Sequence, residues 1–249
     1  MPLNIDGYSI RDRDVRMYER TNIVRSGLVL HLDASIFNTV TYGTTWPDLS
    51  GNGYDASFVN NPSYSDDKIS FNGIDQKTDQ SIPNINLSTD SLTIELWFKS
   101  NQLPTGFIDD TSPASNAALY GHRYGSDIQM FIYPESSGQS NLGVCYDDSR
   151  GNSNHRTNAS IEVNEWVQFV WVARPSYQIL YYVNGQLDKG PFTSADTGVS
   201  FPTNFSIARD NRYGPYSNID MGIVRRYNRE LSSTEIAHNY NVTKGRFGL

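Results

Sequence analysis

The chain of 249 residues has one cysteine and four histidines, and these two scarcities exclude several kinds of chemistry together. With Cys145 alone, neither an intrachain disulfide nor a thiolate zinc cluster can form, and the thiol is expected to be buried and inert. His31, His122, His155 and His238 show no metal-type spacing. A Gly-x-Ser-x-Gly elbow and a phosphate-cradling glycine loop are both missing. No apolar run approaches the roughly 20 residues of a membrane span, and the opening MPLNIDGYSIRDRDVRMYER lacks the apolar core of a secretory signal. The expectation is a protein without membrane insertion or obvious export.

Charge narrows the partners further. The net charge is −7, yet residues 1–26 carry five arginines against four acids, and residues 222–249 carry five basic against two acidic residues. The acid excess therefore sits between the ends, and such a body repels phosphate backbones, so no direct nucleic-acid partner is expected.

What is abundant is tyrosine (16 residues), with many Asn, Ser, Thr and Gly, a composition suited to strands joined by polar turns. Residues 1–26 alternate charges without a sustained apolar period and read as an N-terminal arm, either a solvated tail or a segment that packs on a partner. The domain reads from 27 to 249. In GLVLHLD, Leu28, Leu30 and Leu32 fall on one strand face and Val29, His31 and Asp33 on the other. KISFNG is a shorter strand. SLTIELWFKS alternates Leu92, Ile94, Leu96 and Phe98 against Thr93, Glu95, Trp97 and Lys99. WVQFVWVAR and YQILYYVNGQLD give further strands, with Asn184-Gly185 supplying the positive-φ pair of a tight hairpin. MGIVRRYN is the last strand. In RELSSTEIAHNYNVTKGRF, Ser232 and Glu235 form a capping box and Leu231 and Ile236 a staple, which predicts a helix over about 233–243 closed by Lys244 and Gly245.

The loop DLSGNGYD offers Asp48, Ser50, Asn52 and Asp55, oxygen donors of the kind calcium takes. Its glycines and Asx residues equally suit a plain bend in which Asp48 and Asn52 bond to nearby backbone amides. Both readings stay open, with Asp48, Asn52 and Asp55 as the candidate calcium ligands and no other cofactor expected.

Taken in order, GLVLHLDAS, TTWPDLSGNGYDASFVNNPSY, ISFNGID, SLTIELWFKS, NEWVQFVWV, YYVNGQLD and RRYNRELSSTEIAHNYN resemble laminin-G-like domains of the concanavalin A-like lectin/glucanase superfamily over about residues 27–245. The resemblance implies an all-β, two-sheet antiparallel jelly-roll sandwich with a short C-terminal helix. One departure is Gln76 and Lys77 after Asp75, where the family usually has an Asp-Tyr pair. The wording of GLVLHLDAS and NYNVTKGRFGL also resembles virion structural proteins of tailed bacteriophages, which reach the exterior by lysis without an export signal.

The glucanase branch of that superfamily places its paired carboxyls in a Glu-x-Asp-x-Glu cluster, and here Glu95 stands alone on its strand. The expectation is accordingly that the chain is not an enzyme. Sugar binding without catalysis asks for an aromatic platform and convergent polar groups, for which Trp97, Tyr124, Arg209, Tyr213 and Tyr216 are the candidates. The resemblance also places Trp97, Trp166 and Trp171 among the family's core aromatics, a competing role for Trp97. The sequence reading is thus a structural or decoration protein of a phage virion, localised there. Arg11, Arg13, Arg16, Arg20 and Arg246 would attach it to other virion proteins or to further copies of itself. Its alternative is a carbohydrate-binding module that grips cell-surface polysaccharide, and a third reading is a glycosidase dependent on Glu95.

Overall fold

The alternation in residues 92–100 becomes a nine-residue inner strand. In the computed structural model, Leu92–Ser100 turns Leu92, Ile94, Leu96 and Phe98 into the main core and Thr93, Glu95 and Trp97 to the opposite side of the sheet. The structure describes residues 3–5, 8–10, 22–36, 43–65, 67–104, 117–121, 128–134, 139–146, 156–193, 200–201, 203–210 and 214–249, with residues 3–5, 8–10, 145–146 and 200–201 described for their backbone only. Arg11, Arg13, Arg16, Arg20, Tyr124 and Tyr213 lie outside the described residues, as does the side chain of Cys145.

Two eight-stranded antiparallel sheets face one another. The first runs Gln186–Thr193, Gln178–Val183, Trp166–Arg174, Leu92–Ser100 and Asn218–Tyr227. The last of these is shared on its far side, where residues 218–221 pair with Lys68–Asn72, itself followed by Ser63–Ser65, and residues 223–227 pair with Leu28–Asp33. The second sheet runs Arg156–Ile161, Ser140–Tyr146, Ile128–Pro134, Ala118–Gly121, Asn204–Ile207, Lys77–Ser81, Ala56–Val59 and Thr45–Trp46. Between them lies an apolar core that includes Trp46, Phe71, Phe98, Phe169, Trp171 and Phe205. At one margin Asp188 accepts hydrogen bonds from the backbone N–H of Asn158 (2.6 Å) and Ala159 (2.8 Å), tying an edge strand of one sheet to that of the other. Exposed edges invite pairing with other chains, and this cross-link covers one. The all-β sandwich expected from the sequence is the observed fold.

Local expectations hold where a side chain dictates the backbone. Asn184 and Gly185 have φ of 49° and 77°, the two positive values a tight primed turn requires. The C-terminal helix spans Ser233–Thr243 with a full capping box between Ser232 and Glu235. Two details differ. Leu28 leaves the face of Leu30 and Leu32, because the pairing slips between Arg226 and Tyr227 and makes Val29 an extra residue in its strand. Leu28 then packs with the outer cluster and Val29 with the core. Nor does Gly245 end the helix: a 3-10 turn, Lys244–Phe247, continues it, and Gly248 stops it with φ of 78°.

That continuation carries the chain back over the first sheet. Val170, Val172, Leu180, Tyr182 and Tyr227 on its outer side are covered by Leu231 and Ile236, with Val24 packed alongside. Residues 22–26, read from the sequence with the arm, join this cover: Ile23 is buried and Val24 N–H donates to Asn239 Oδ1 at 2.9 Å.

Candidate functional site

The outer side of the first sheet carries groups that could do chemistry, and the central ones are enclosed. Glu95 Oε1 accepts hydrogen bonds from Trp97 Nε1, Gln168 Nε2 and Arg225 Nη1, each at 2.9 Å, and Oε2 accepts from Asn239 Nδ2 at 2.9 Å. Glu95 and Arg225 are each 1% exposed. A carboxylate so satisfied, under a helix, has no route to a substrate, and the glycosidase role considered for Glu95 is corrected on that ground. Trp97 is also corrected as a ligand platform. It stacks on Phe247 at 4.8 Å and on Tyr240 at 5.7 Å, so both tail and helix occupy its ring. Its core role is the one observed, in a second apolar cluster outside the sheet.

Arg246 does not project outward as an attachment point. Its guanidinium makes two hydrogen bonds to Asp33, at 2.7 and 2.9 Å, with both side chains buried. Burial alone would raise the Asp33 pKa, but the charge of Arg246 and its hydrogen bonds outweigh this and hold the carboxyl below the usual range. His31 beside it is fully buried, and its pKa is lowered from 6.5 to about 3, first by burial and then by Arg225.

The loop at 48–55 also has a structural occupation. Asp48 accepts four hydrogen bonds, from the backbone N–H groups of His31, Ser50 and Tyr54 and from the Ser50 hydroxyl. Asp55 accepts from Asp48 N–H, while Ser50 and Asn52 donate to the carbonyl of the extra residue Val29. These are bonds from nearby backbone amides to Asp48 of the kind the bend reading expects. Among the described residues no group of three or more His, Cys, Asp or Glu is placed to hold a metal.

The second sheet presents the open feature. In Lys77–Ser81, Thr78 and Gln80 turn inward while Lys77, Asp79 and Ser81 turn outward, and in Asn204–Ile207 the inward pair is Phe205 and Ile207. The register sets Asn204 opposite Ser81 and Ser57 opposite Asp79. These outward groups floor a groove of about 740 Å³, with Gly53, Tyr54 and Asp55 of the 48–55 loop at its lip and Arg209 also lining it. Gln80 fixes that lip by donating to the Tyr54 carbonyl. Lys77 pairs with Asp79, and the Ser206 hydroxyl reaches Asp79 at 3.4 Å. Hydroxyls, two amides, two carboxylates and two cations thus converge in one depression, beside Tyr54.

Two residues singled out from the sequence meet here. Arg209 and Tyr216 face each other across a β-bridge, the guanidinium carbon lying 5.3 Å from the tyrosine ring centroid. The groove floor was missed. NFSI alternates polar outward positions with apolar inward ones, but KTDQS is polar at every position and gives no such signal.

A family model for the concanavalin A-like lectin/glucanases superfamily matches residues 75–237, well over half of the chain. The chain belongs to the concanavalin A-like lectin/glucanases superfamily. Its sandwich is the lectin-like one of that superfamily, and no curated protein matches it in sequence. Among solved structures, Trypanosoma rangeli sialidase in complex with 2,3-difluorosialic acid aligns at 20% identity and a TM-score of 0.63, over 88% of this chain and 33% of the sialidase. A structure of botulinum neurotoxin type C, a toxin whose cell entry depends on interaction with two ganglioside molecules, aligns at 14% identity and a TM-score of 0.59, over 89% of this chain and 52% of the other. The binding domain of botulinum neurotoxin DC in complex with SialylT aligns at 16% and 0.59, over 87% and 52%. The chain therefore spans about a third of the sialidase and half of the toxin chains, and at these identities the likeness is one of fold.

The sialidase likeness overturns the expectation that the chain is not an enzyme. That expectation rested on a missing glucanase cluster, and the fold it was applied to also occurs within sialidase chains.

Proposed function

We propose that this lectin-like sandwich binds glycan in the groove of its second sheet. The observation that carries the reading is the convergence of Ser57, Asp79, Ser81 and Asn204 with Arg209 and Tyr54 on the one sheet face that helix and tail leave open. A sugar offers many hydroxyls, each able to donate and accept, and a set mixing acceptor carboxylates, donor cations and two-way amides and hydroxyls matches that demand. The 740 Å³ volume lies within the range of small-ligand clefts, about 300–1,000 Å³. Structural neighbours that include a sialidase with a bound sialic acid derivative and a toxin dependent on gangliosides add support at the level of fold.

We further propose that the domain is displayed on a tailed-phage particle, with the arm preceding residue 22 holding it to other virion proteins. The support is the phage-like wording of GLVLHLDAS and NYNVTKGRFGL. In this reading the basic C-terminal tail no longer contributes Arg246 to attachment, since that side chain is spent on Asp33.

A glycan-array screen of the full chain beside its Asn204→Trp variant tests the first proposal. Asn204 is exposed, so tryptophan there fills the groove without disturbing the core. Binding by the wild type that the variant loses is expected; equal binding by both places the site elsewhere. Mass spectrometry of purified particles tests the second, and absence of the protein from them contradicts it.

A further inference from the structure

We infer that the groove selects a sugar bearing a carboxylate, with Arg209 as the group that receives it, an inference that rests on the glycan-binding reading of the same groove. Most cations of the described residues are already committed. Arg174, Arg225, Arg229 and Arg246 each hold a carboxylate, and Lys68, Lys77 and Lys99 each pair with an aspartate. Arg209 holds none among the described residues, and its Nε is buried without an acceptor. Its guanidinium instead lies over the Tyr216 ring at 5.3 Å.

The backbone is shaped to keep it there. Ala208 has a φ of 65°, a left-handed conformation that costs a residue with a Cβ and that tends to be kept where a side chain must be aimed. Ala208 N–H donates to the Leu119 carbonyl, and Ser217 N–H to the Ala208 carbonyl. Asp210 N–H donates to the Pro215 carbonyl, and the Gln129 amide to the carbonyl of Arg209 itself at 2.6 Å. The loop is thus clamped on both sides of Arg209 while the end of its side chain is not.

An incoming carboxylate would displace no acid from this guanidinium, so the charge-assisted bond it forms is not offset by one that is broken. A planar carboxylate suits the planar donor fork, and a single negative charge suits a groove whose other cation, Lys77, already answers Asp79. A doubly charged phosphate would lack a second cation there and would meet the acids Asp55 and Asp79.

The test takes the full chain to an array that pairs acidic glycans with neutral counterparts: sialyllactose with lactose, oligogalacturonate with its methyl ester, and a sulfated with an unsulfated galactan oligosaccharide. Hits are then titrated with wild type, Arg209→Gln and Arg209→Lys. The expected result is a preference of about tenfold or more for the carboxylate member of a pair, erased by Arg209→Gln, partly kept by Arg209→Lys and weakened by salt. Unchanged thermal midpoints in both variants would show that the loss is not one of folding. Equal binding of acidic and neutral members, a preference confined to sulfate, or a carboxylate preference that survives Arg209→Gln overturns the inference while leaving the groove as a glycan site. No glycan bound by the wild type overturns both readings.

Discussion

Arg225 and Arg209 stand on opposite outer faces of the sandwich, and they differ in what the fold does with a cation. Arg225 is 1% exposed and bonded to Glu95, inside a network that the helix and tail close. Arg209 lines an open groove and meets no acid among the described residues. A buried charge must be paired to be tolerated, so the closed face uses its polar groups on one another. The open face can leave polar groups for a ligand, because a group at the surface is not obliged to pair within the fold. A dense polar cluster is therefore a poor guide to a binding site unless its members still have capacity for a partner.

The largest break in this comparison is Glu95→Ala, which leaves Arg225 buried without its acid and should cost about 3–5 kcal/mol in denaturant unfolding. Phe247→Ala comes next. Its ring lies 4.8 Å from Trp97 and 4.4 Å from Trp166, and its loss from the closed face should cost about 3 kcal/mol. Gly222 marks how tightly that ring sits, since a Cβ there would come within 2.6 Å of it.

Acid should weaken the closed face next. Below pH 6.5 the unfolded chain protonates His31, whereas the folded chain holds it neutral down to about pH 3. Stability should thus fall as pH drops through that window, by at most about 1.4 kcal/mol per unit, and His31→Gln should flatten the slope. The Asp33–Arg246 pair behaves separately. With its pKa depressed in the fold, Asp33 contributes stability above its ordinary value of 3.8 and loses that contribution only in stronger acid. Smallest is Asn204→Trp on the open face, with a change in stability within about 0.5 kcal/mol and a loss of binding that sharpens the contrast.

The sequence made the strands, the Asn184-Gly185 turn and the capped helix legible, because each is set by neighbours in the chain. It also supplied Arg209 and Tyr216. It did not show that Glu95 and Arg246 would be enclosed, and it pointed to a core role for Trp97 only through the family resemblance. Their concealment depends on residues more than a hundred positions away, such as Asn239 over Glu95 and Phe247 over Trp97. Nor could DLSGNGYD reveal that Ser50 and Asn52 bond to the carbonyl of Val29, a residue made extra by a slip in pairing with Arg226 and Tyr227. The groove floor was hidden for the same reason: Ser57, Asp79 and Ser206 become neighbours only when three separate strands align.

The most direct measurement is hydrogen–deuterium exchange of the full chain with and without the strongest array glycan. Slowed exchange confined to residues 53–57, 77–81 and 204–210, with residues 233–247 unchanged, is the predicted result. Protection over the helix and tail, with the groove strands unaffected, would contradict the assignment of the open face as the binding site.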